Sequence, residues 1–388
     1  MKPTYYDILK KARPKLFKFV SKEKEIFKNK KSIVPFGSAD EFTHIQQYLE
    51  EIGNGIANNF KLNLLKQGYT NIPDTELLEY IRNSPDFERL IFSETANYLT
   101  VFNFENFGRK TFFFSENLVE HLALTELVAD SNFVKPPFDT CLFIYSDQKS
   151  LDAFYKIHDT ECPDYEVPIS VFITSLPVEE GLRKVLFSCW HAAEPSANMF
   201  VNRELLVREN WTINDMLKTD WGDIYKEEDD NYEADEISSD NSLFYNEGFL
   251  FFRILINSLL YLGSNDIDVM DVLSPHQQLI EQLKKAQSNK TKKRIKKKIK
   301  KIVDVSELNF SKLGHNTGKI IVMKPTVSSN RDQEPEESRK LLYRFLVRGH
   351  WRNQPFGEKR SKRKLIWIKP YYKGPDFAEL VNKPYVAK

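Results

Sequence analysis

The spacing of apolar residues changes character at Pro136, and this change constrains the fold more than any other feature of the chain. Before it, apolar side chains recur at helical intervals: Tyr6 to Phe27 is one such stretch. Ser38-Ala39-Asp40-Glu41 reads as a capped start to an amphipathic run ending at Leu65, while Pro73-Asp74-Thr75, Ser84-Pro85-Asp86 and Leu118 to Val128 mark shorter helices. After it come short runs rich in β-branched and aromatic residues: Thr140 to Tyr145, Ile169 to Thr174, Lys184 to Trp190 and Met199 to Val207. Pro, Gly, Ser and Asp separate these runs, as expected for an antiparallel sheet. Trp211 to Tyr225 reads as a helix, and Leu243 to Leu262 is apolar on nearly every side, as a buried central helix must be. The class is therefore α+β: a helical N-terminal part, a mixed central antiparallel sheet with a buried helix, and a basic C-terminal β-hairpin. The expected divisions are a helical region over 1–130, an α+β core over 131–272 with an acidic loop at 227–240, a basic helical arm over 273–303, and 304–388 holding a strand, a polar linker and the hairpin.

Several classes are excluded early. With 41% hydrophobic and 29% charged residues in 388, the chain is globular. Leu243 to Leu262 is interrupted by Asn246, Glu247, Arg253 and Asn257, so it is not a membrane span. Met1 to Lys30 is basic but has no apolar centre and no cleavage site, which argues against secretion. Three scattered cysteines, Cys141, Cys162 and Cys189, fit a reducing cytoplasm.

A net charge of +1 hides strong segregation. Lys284 to Lys301 holds eleven basic residues and no acid, and Arg339 to Lys388 holds fourteen basic and three acidic ones, leaving about −21 on the remainder. Such polarity suits a basic surface that engages a polyanion, unless Glu227 to Asp240 folds over the cations. Pro275 to Val303 reads as one long helix ending in the basic run, with Ile295, Ile299 and Ile302 on one face. Lys293, Arg294 and Lys297 are its candidate contacts. Lys319 to Met323 reads as a strand, and Thr326 to Ser338 as a linker.

The C-terminal hairpin carries the chemistry. Along Leu342 to Arg352, alternation puts Arg344, Arg348, His350 and Arg352 on the face of Leu346, opposite Tyr343, Phe345, Val347 and Trp351. Arg360, Lys362, Arg363 and Lys364 follow in or beside the connecting loop, where cations can converge on phosphate. Trp351 and Trp367 are either stacking platforms or core aromatics. His350 is either a scaffold residue or the base of a metal-independent ribonuclease. His158 with Cys162, and Cys189 with His191, lack the second pair that a zinc site needs. Neither a phosphate loop nor a nucleophile elbow is present, and no cofactor is expected.

Arg348-Gly349-His350-Trp351, followed by a glycine-containing basic loop and a Trp-bearing strand ending in Pro370, resembles the C-terminal region of the large type V-A anti-CRISPR proteins and their relatives on mobile elements. Pro137 to Tyr145 is similar to the family's proline-led strand with a central cysteine, and Leu255 to Asp268 to its apolar helix ending in an acidic turn. The N-terminal helices carry no counterpart. The resemblance implies a protein that suppresses production of a CRISPR nuclease by recognising its emerging N-terminal peptide and causing loss of the message. It marks Arg348, His350 and Trp351 as functional positions. The expected partners are RNA or a ribosome–nascent-chain complex. The alternatives are a ribonuclease or toxin, and a protein-binding inhibitor that uses no nucleic acid.

Overall fold

The computed structural model describes residues 1–27, 43–68, 84–157, 167–191, 199–222, 247–264, 266–302, 305–320, 322–323 and 345–373. The capped start at Ser38, the turn at Pro73, His158, Cys162, the acidic loop 227–240, the linker 326–338 and Arg344 lie outside the described residues.

Four helices open the chain: α1 (Tyr5–Ala12), α2 (Pro14–Phe27), α3 (Thr43–Lys66) and α4 (Pro85–Asn106). Pro14 separates the first two because it cannot continue the hydrogen-bond ladder of α1. At α4, Ser84 caps the first turn by accepting from Phe87 N, with Pro85 in the first helical position, as its sequence pattern requires.

A strand then appears inside the stretch that reads mainly as helix: β1 (Thr111–Phe114), four residues long. It leads into α5 (Glu116–Ala123), which ends before Val128 because Leu124 and Glu126 turn aside to hydrogen-bond the backbone of Gly349. The four runs after Pro136 form β2 (Thr140–Tyr145), β3 (Ile169–Glu179), β4 (Leu182–His191) and β5 (Met199–Arg208), paired antiparallel in sequence order. The helix α6 (Gln148–Lys156) follows β2, and α7 (Ile213–Asp220) follows β5. Beyond α8 (Glu247–Gly263) come β6 (Val269–Val272) and β7 (Phe310–Leu313). β1 joins β2 and β7 in parallel, so the complete seven-stranded sheet is mixed, in the order β5-β4-β3-β2-β1-β7-β6.

Both faces of the sheet are covered, and strand alternation divides the core accordingly. Cys141, Phe143 and Tyr145 of β2 join the core built on α5, α6 and α8, whereas Leu142 and Ile144 join that of the N-terminal helices. The α8 helix is buried all round, with Phe251, Phe252, Ile254, Leu255, Leu259 and Leu260 fully inaccessible. On the opposite face, Trp190 stacks on Tyr5 with ring centroids 4.5 Å apart.

The expected long helix over 275–303 is two: α9 (Pro275–Lys285) and α10 (Asn289–Lys301). Ser288 breaks it, its hydroxyl accepting from Thr291 N to cap a new N-terminus. The strand expected at 319–323 is reduced to β8 (Val322–Met323), and the longer strand β7 lies upstream of it.

Candidate nucleic-acid interface

The hairpin is built from β9 (Phe345–Val347), β10 (His350–Phe356), β11 (Lys362–Ile368) and β12 (Tyr371–Lys373). β10 pairs with β11 and β9 with β12 in one continuous register, from Phe356 opposite Lys362 to Phe345 opposite Lys373. The strands part at Arg348-Gly349, where the Gly349 N–H donates to Leu124 O at 2.9 Å and its carbonyl accepts from Glu126 N at 2.8 Å. A side chain at 349 would put Cβ 2.5 Å from Thr125 Oγ1 and 2.9 Å from Pro370 Cδ. Glycine is thus needed in the tetrad for close approach, not for an unusual backbone angle.

Beside Gly349, two indoles fix the hairpin to the core. Trp351, 4% exposed, donates from Nε1 to Asn257 Oδ1 of α8 at 2.7 Å. The Asn257 amide in turn donates to Leu122 O and Thr125 O, at 2.9 and 2.8 Å. Trp367 stacks on Trp351 at 5.7 Å and donates to Thr125 Oγ1 at 3.1 Å, and that hydroxyl donates to His121 O. Every polar end of this buried cluster has a partner, as a low-dielectric site demands. Next to it, burial pushes the His121 imidazole below its usual range; its Nε2 lies 3.1 Å from Gly318 O and its ring packs edge-on against Trp367. Of the two roles read for Trp351, the geometry provides the packing one.

Because Trp351, Trp367 and Leu365 face inward, cross-strand pairing sends the alternate residues out. His350, Arg352, Gln354 and Phe356 share that outer face with Lys362 and Lys364. Phe356 is 40% exposed, and the Lys364 ammonium lies 5.8 Å from its ring centroid. Among the described residues, Arg352, Lys362 and Lys364 form no ion pair, and His350 is exposed with no hydrogen-bond partner. Arg348 lies 4.0 Å from Glu126, on the loop to which the hairpin docks. Arg363 pairs across from Pro355, on the inward side of the register but past the core and exposed.

At the tip, Gly357 has φ 82, and Lys359 and Arg360 have φ 51 and 57. Two consecutive cations in the left-handed region are uncommon for residues with a Cβ, and the turn Glu358–Arg360 holds them exposed. The arm supplies a second basic surface. On α10 only Ile295 is buried, and its nine basic side chains are exposed without an ion pair among the described residues. Arg294 and Lys297 fall on one stripe with Lys290 and Lys301, and Lys293 lies beside it. Of the residues expected to act together on the hairpin, His350, Arg352 and Lys364 share the outer face, whereas Trp351 and Arg363 lie on the inward side; Lys293, Arg294 and Lys297 of the arm lie on a separate helix.

The family model described as AcrVA2-like, anti-CRISPR type V subtype A2 family, matches residues 112–372. That span runs from β1 through the hairpin. The chain belongs to the anti-CRISPR type V subtype A2 family. No curated protein and no solved structure matches the chain. The three segments that carry the resemblance meet in space, although they lie far apart in sequence. Tyr145 of the proline-led strand donates to Ser258 Oγ at 2.9 Å, and Trp351 of the tetrad donates to the adjacent Asn257. Residues 1–111, with the four N-terminal helices, lie outside the matched span of this anti-CRISPR family.

Sequence reasoning passed over Asn257, Thr125 and Phe356. Asn257 had a signal, an amide within an otherwise apolar helix, and Phe356 follows from the register once the hairpin is paired. Thr125 had none. His315 has an acid partner, its Nδ1 lying 2.5 Å from Asp268 Oδ1. It borders a polar crevice of about 390 Å³ at the carboxyl ends of β2, β1 and β7, lined also by Ser115, Asp147 and Lys312. The buried pair Cys189 and His191 is structural in its contacts: His191 Nδ1 meets Tyr155 Oη at 2.6 Å and Nε2 meets Val167 O at 2.7 Å. Among the described residues no helix is long and apolar enough to cross a membrane.

Proposed function

We propose that this anti-CRISPR family member suppresses production of its target, a CRISPR nuclease in the first instance, by engaging the target's mRNA or emerging chain through the basic hairpin. The observation that carries this reading is the outer hairpin face, where, among the described residues, Arg352, Lys362 and Lys364 stand without ion pairs beside the exposed ring of Phe356. Cations without protein partners suit phosphate, and an exposed ring among them suits an unpaired base. Arg360 at the tip, with Arg363 and Arg348, extends the surface along the hairpin; Lys293, Arg294 and Lys297 of the arm are a second contact.

Among the described residues His350 has no carboxylate beside it, so a ribonuclease reading finds no acid–base pair among them on this face to rest on. The reading is tested by titrating labelled single-stranded RNA at several salt concentrations. Arg352→Ala with Lys364→Ala removes two phosphate contacts, so binding weakens and the slope of log affinity on log salt falls by about 1.4. Circular dichroism and melting stay as in the parent, since neither side chain has an ion pair among the described residues. Unchanged affinity at low and high salt would remove the proposed surface. Crosslinking the intact chain in cells, then sequencing bound RNA, names the message.

A further inference from the structure

The outer edge of the sheet carries an apolar strand that nothing covers among the described residues. Ile267, Val269, Met270 and Leu273 are 36%, 48%, 43% and 42% exposed, so a stretch of seven residues holds four of the eleven large hydrophobic side chains exposed in the described structure. Scattered exposed apolar residues are ordinary, but a cluster on an open strand edge is a template for pairing. β6 is that edge, paired among the described residues only with β7.

We propose that the occupant of this edge is β6 of a second copy, paired antiparallel about a two-fold axis through Met270. The register follows from the backbone. Gly314 N donates to Asp268 O at 2.8 Å, so residues 268, 270 and 272 direct their backbone groups toward β7, while 267, 269, 271 and 273 direct theirs outward. An antiparallel partner must match outward residues with outward residues. Centring on Asp271 would set two carboxylates directly opposite each other, and centring on Val269 would set Ile267 against Asp271 and Met270 against Asp268, leaving only Val269 with an apolar partner. Centring on Met270 sets Ile267 against Leu273, Val269 against Asp271, and Met270 against its own copy. It alone pairs the two flanking apolar side chains with each other.

Charge favours the same partner. Asp266 and Asp268 form the turn before β6, and α9 begins at Pro275 just after it. The three-residue link 286–288 folds α10 back along α9, returning Lys298, Lys300 and Lys301 toward the base of the arm. Antiparallel pairing brings the base of each arm beside the acidic turn of the other copy. The contact is isologous and closes as a dimer.

The test is sedimentation of the full chain over a wide concentration range, together with disulfide trapping. The parent sediments at twice the mass of one chain; Val269→Lys with Met270→Lys sediments at the mass of one chain, with an unchanged circular dichroism spectrum and at least tenfold less dimer. In a Cys162→Ser background, Met270→Cys forms an interchain disulfide, because a non-hydrogen-bonded pair has Cα atoms about 4.5 Å apart. Leu273→Cys does not, because its two copies lie about 20 Å apart along the strand. A parent that sediments as one chain throughout, a dimer that survives the lysine pair, or equal trapping at both positions would overturn the proposal. An edge reserved for a peptide gives the first of these results.

Discussion

On one face of the sheet, Tyr6, Tyr48 and Tyr98 donate to the carboxylates of Glu105, Glu94 and Glu23; on the other, Trp351 and Trp367 donate to Asn257 and Thr125. The first set ties helices to one another: α1 to α4, α3 to α4 and α4 to α2. Its charges are turned inward, and Lys24 and Arg109 close the network on Glu105, with Arg13 on Glu94. The second set is neutral throughout and ties the hairpin to α8 and to Thr125, so it uses none of the hairpin's charges. In the N-terminal layer Arg13, Lys24 and Arg109 are taken up by internal carboxylates, whereas Arg352, Lys362 and Lys364 of the hairpin have no ion pair among the described residues. The neutral anchor lies inside the span matched by the anti-CRISPR family and the charged layer outside it.

The sharpest way to break this comparison is to remove the neutral anchor. Trp351→Ala leaves a cavity and deprives the inaccessible Asn257 Oδ1 of its indole donor, and costs about 3–5 kcal/mol in denaturant unfolding. RNA affinity falls with it, although no outward cation has changed. If affinity holds while stability drops, the hairpin binds without being docked.

Alkali probes the charged layer instead. Burial first, and then the neighbouring carboxylate, pushes the Tyr6, Tyr48 and Tyr98 phenols above their ordinary value. The folded chain therefore keeps protons that the unfolded chain releases, so their contribution is complete below about pH 10 and is lost progressively as pH rises above it toward the raised folded values. Tyr145 and Tyr261 are raised by burial as well, but Tyr145 faces a hydroxyl and Tyr261 a backbone amide. Melting temperature should fall between pH 9 and pH 11, and fall less in Tyr48→Phe with Tyr98→Phe. An equal fall in that variant would place the alkaline sensitivity outside the Tyr–Glu pairs.

The smallest expected effect separates stability from contact within the hairpin. Arg360 sits at φ 57, so Arg360→Gly relieves about 1 kcal/mol of backbone strain while removing one cation. The variant melts higher and binds RNA more weakly, with a salt slope lower by about 0.7. A variant that is less stable would mean that the Arg360 side chain itself holds the tip.

Much of this architecture is legible in local pattern. The four runs after Pro136 became adjacent antiparallel strands, and the Ser84-Pro85 start and the buried α8 formed where their residues require. What was missed was short or capped from within: β1 is four residues of Thr and Phe between two helices, and Ser288 divides a run of lysines that otherwise reads as one helix. In the hairpin, the alternation of Arg348, His350 and Arg352 against Trp351 is a property of the strand and was readable at once. Which side is covered is not a local property. It is decided by Asn257, 94 residues from Trp351, and by Thr125, 242 residues from Trp367. The sequence by itself determined the two periodicities, the pairing of the hairpin and the separation of its charges. Only the tertiary structure decided that the indoles turn in and the cations out, because that choice is made by hydrogen-bond partners and a glycine contact that distant segments bring together.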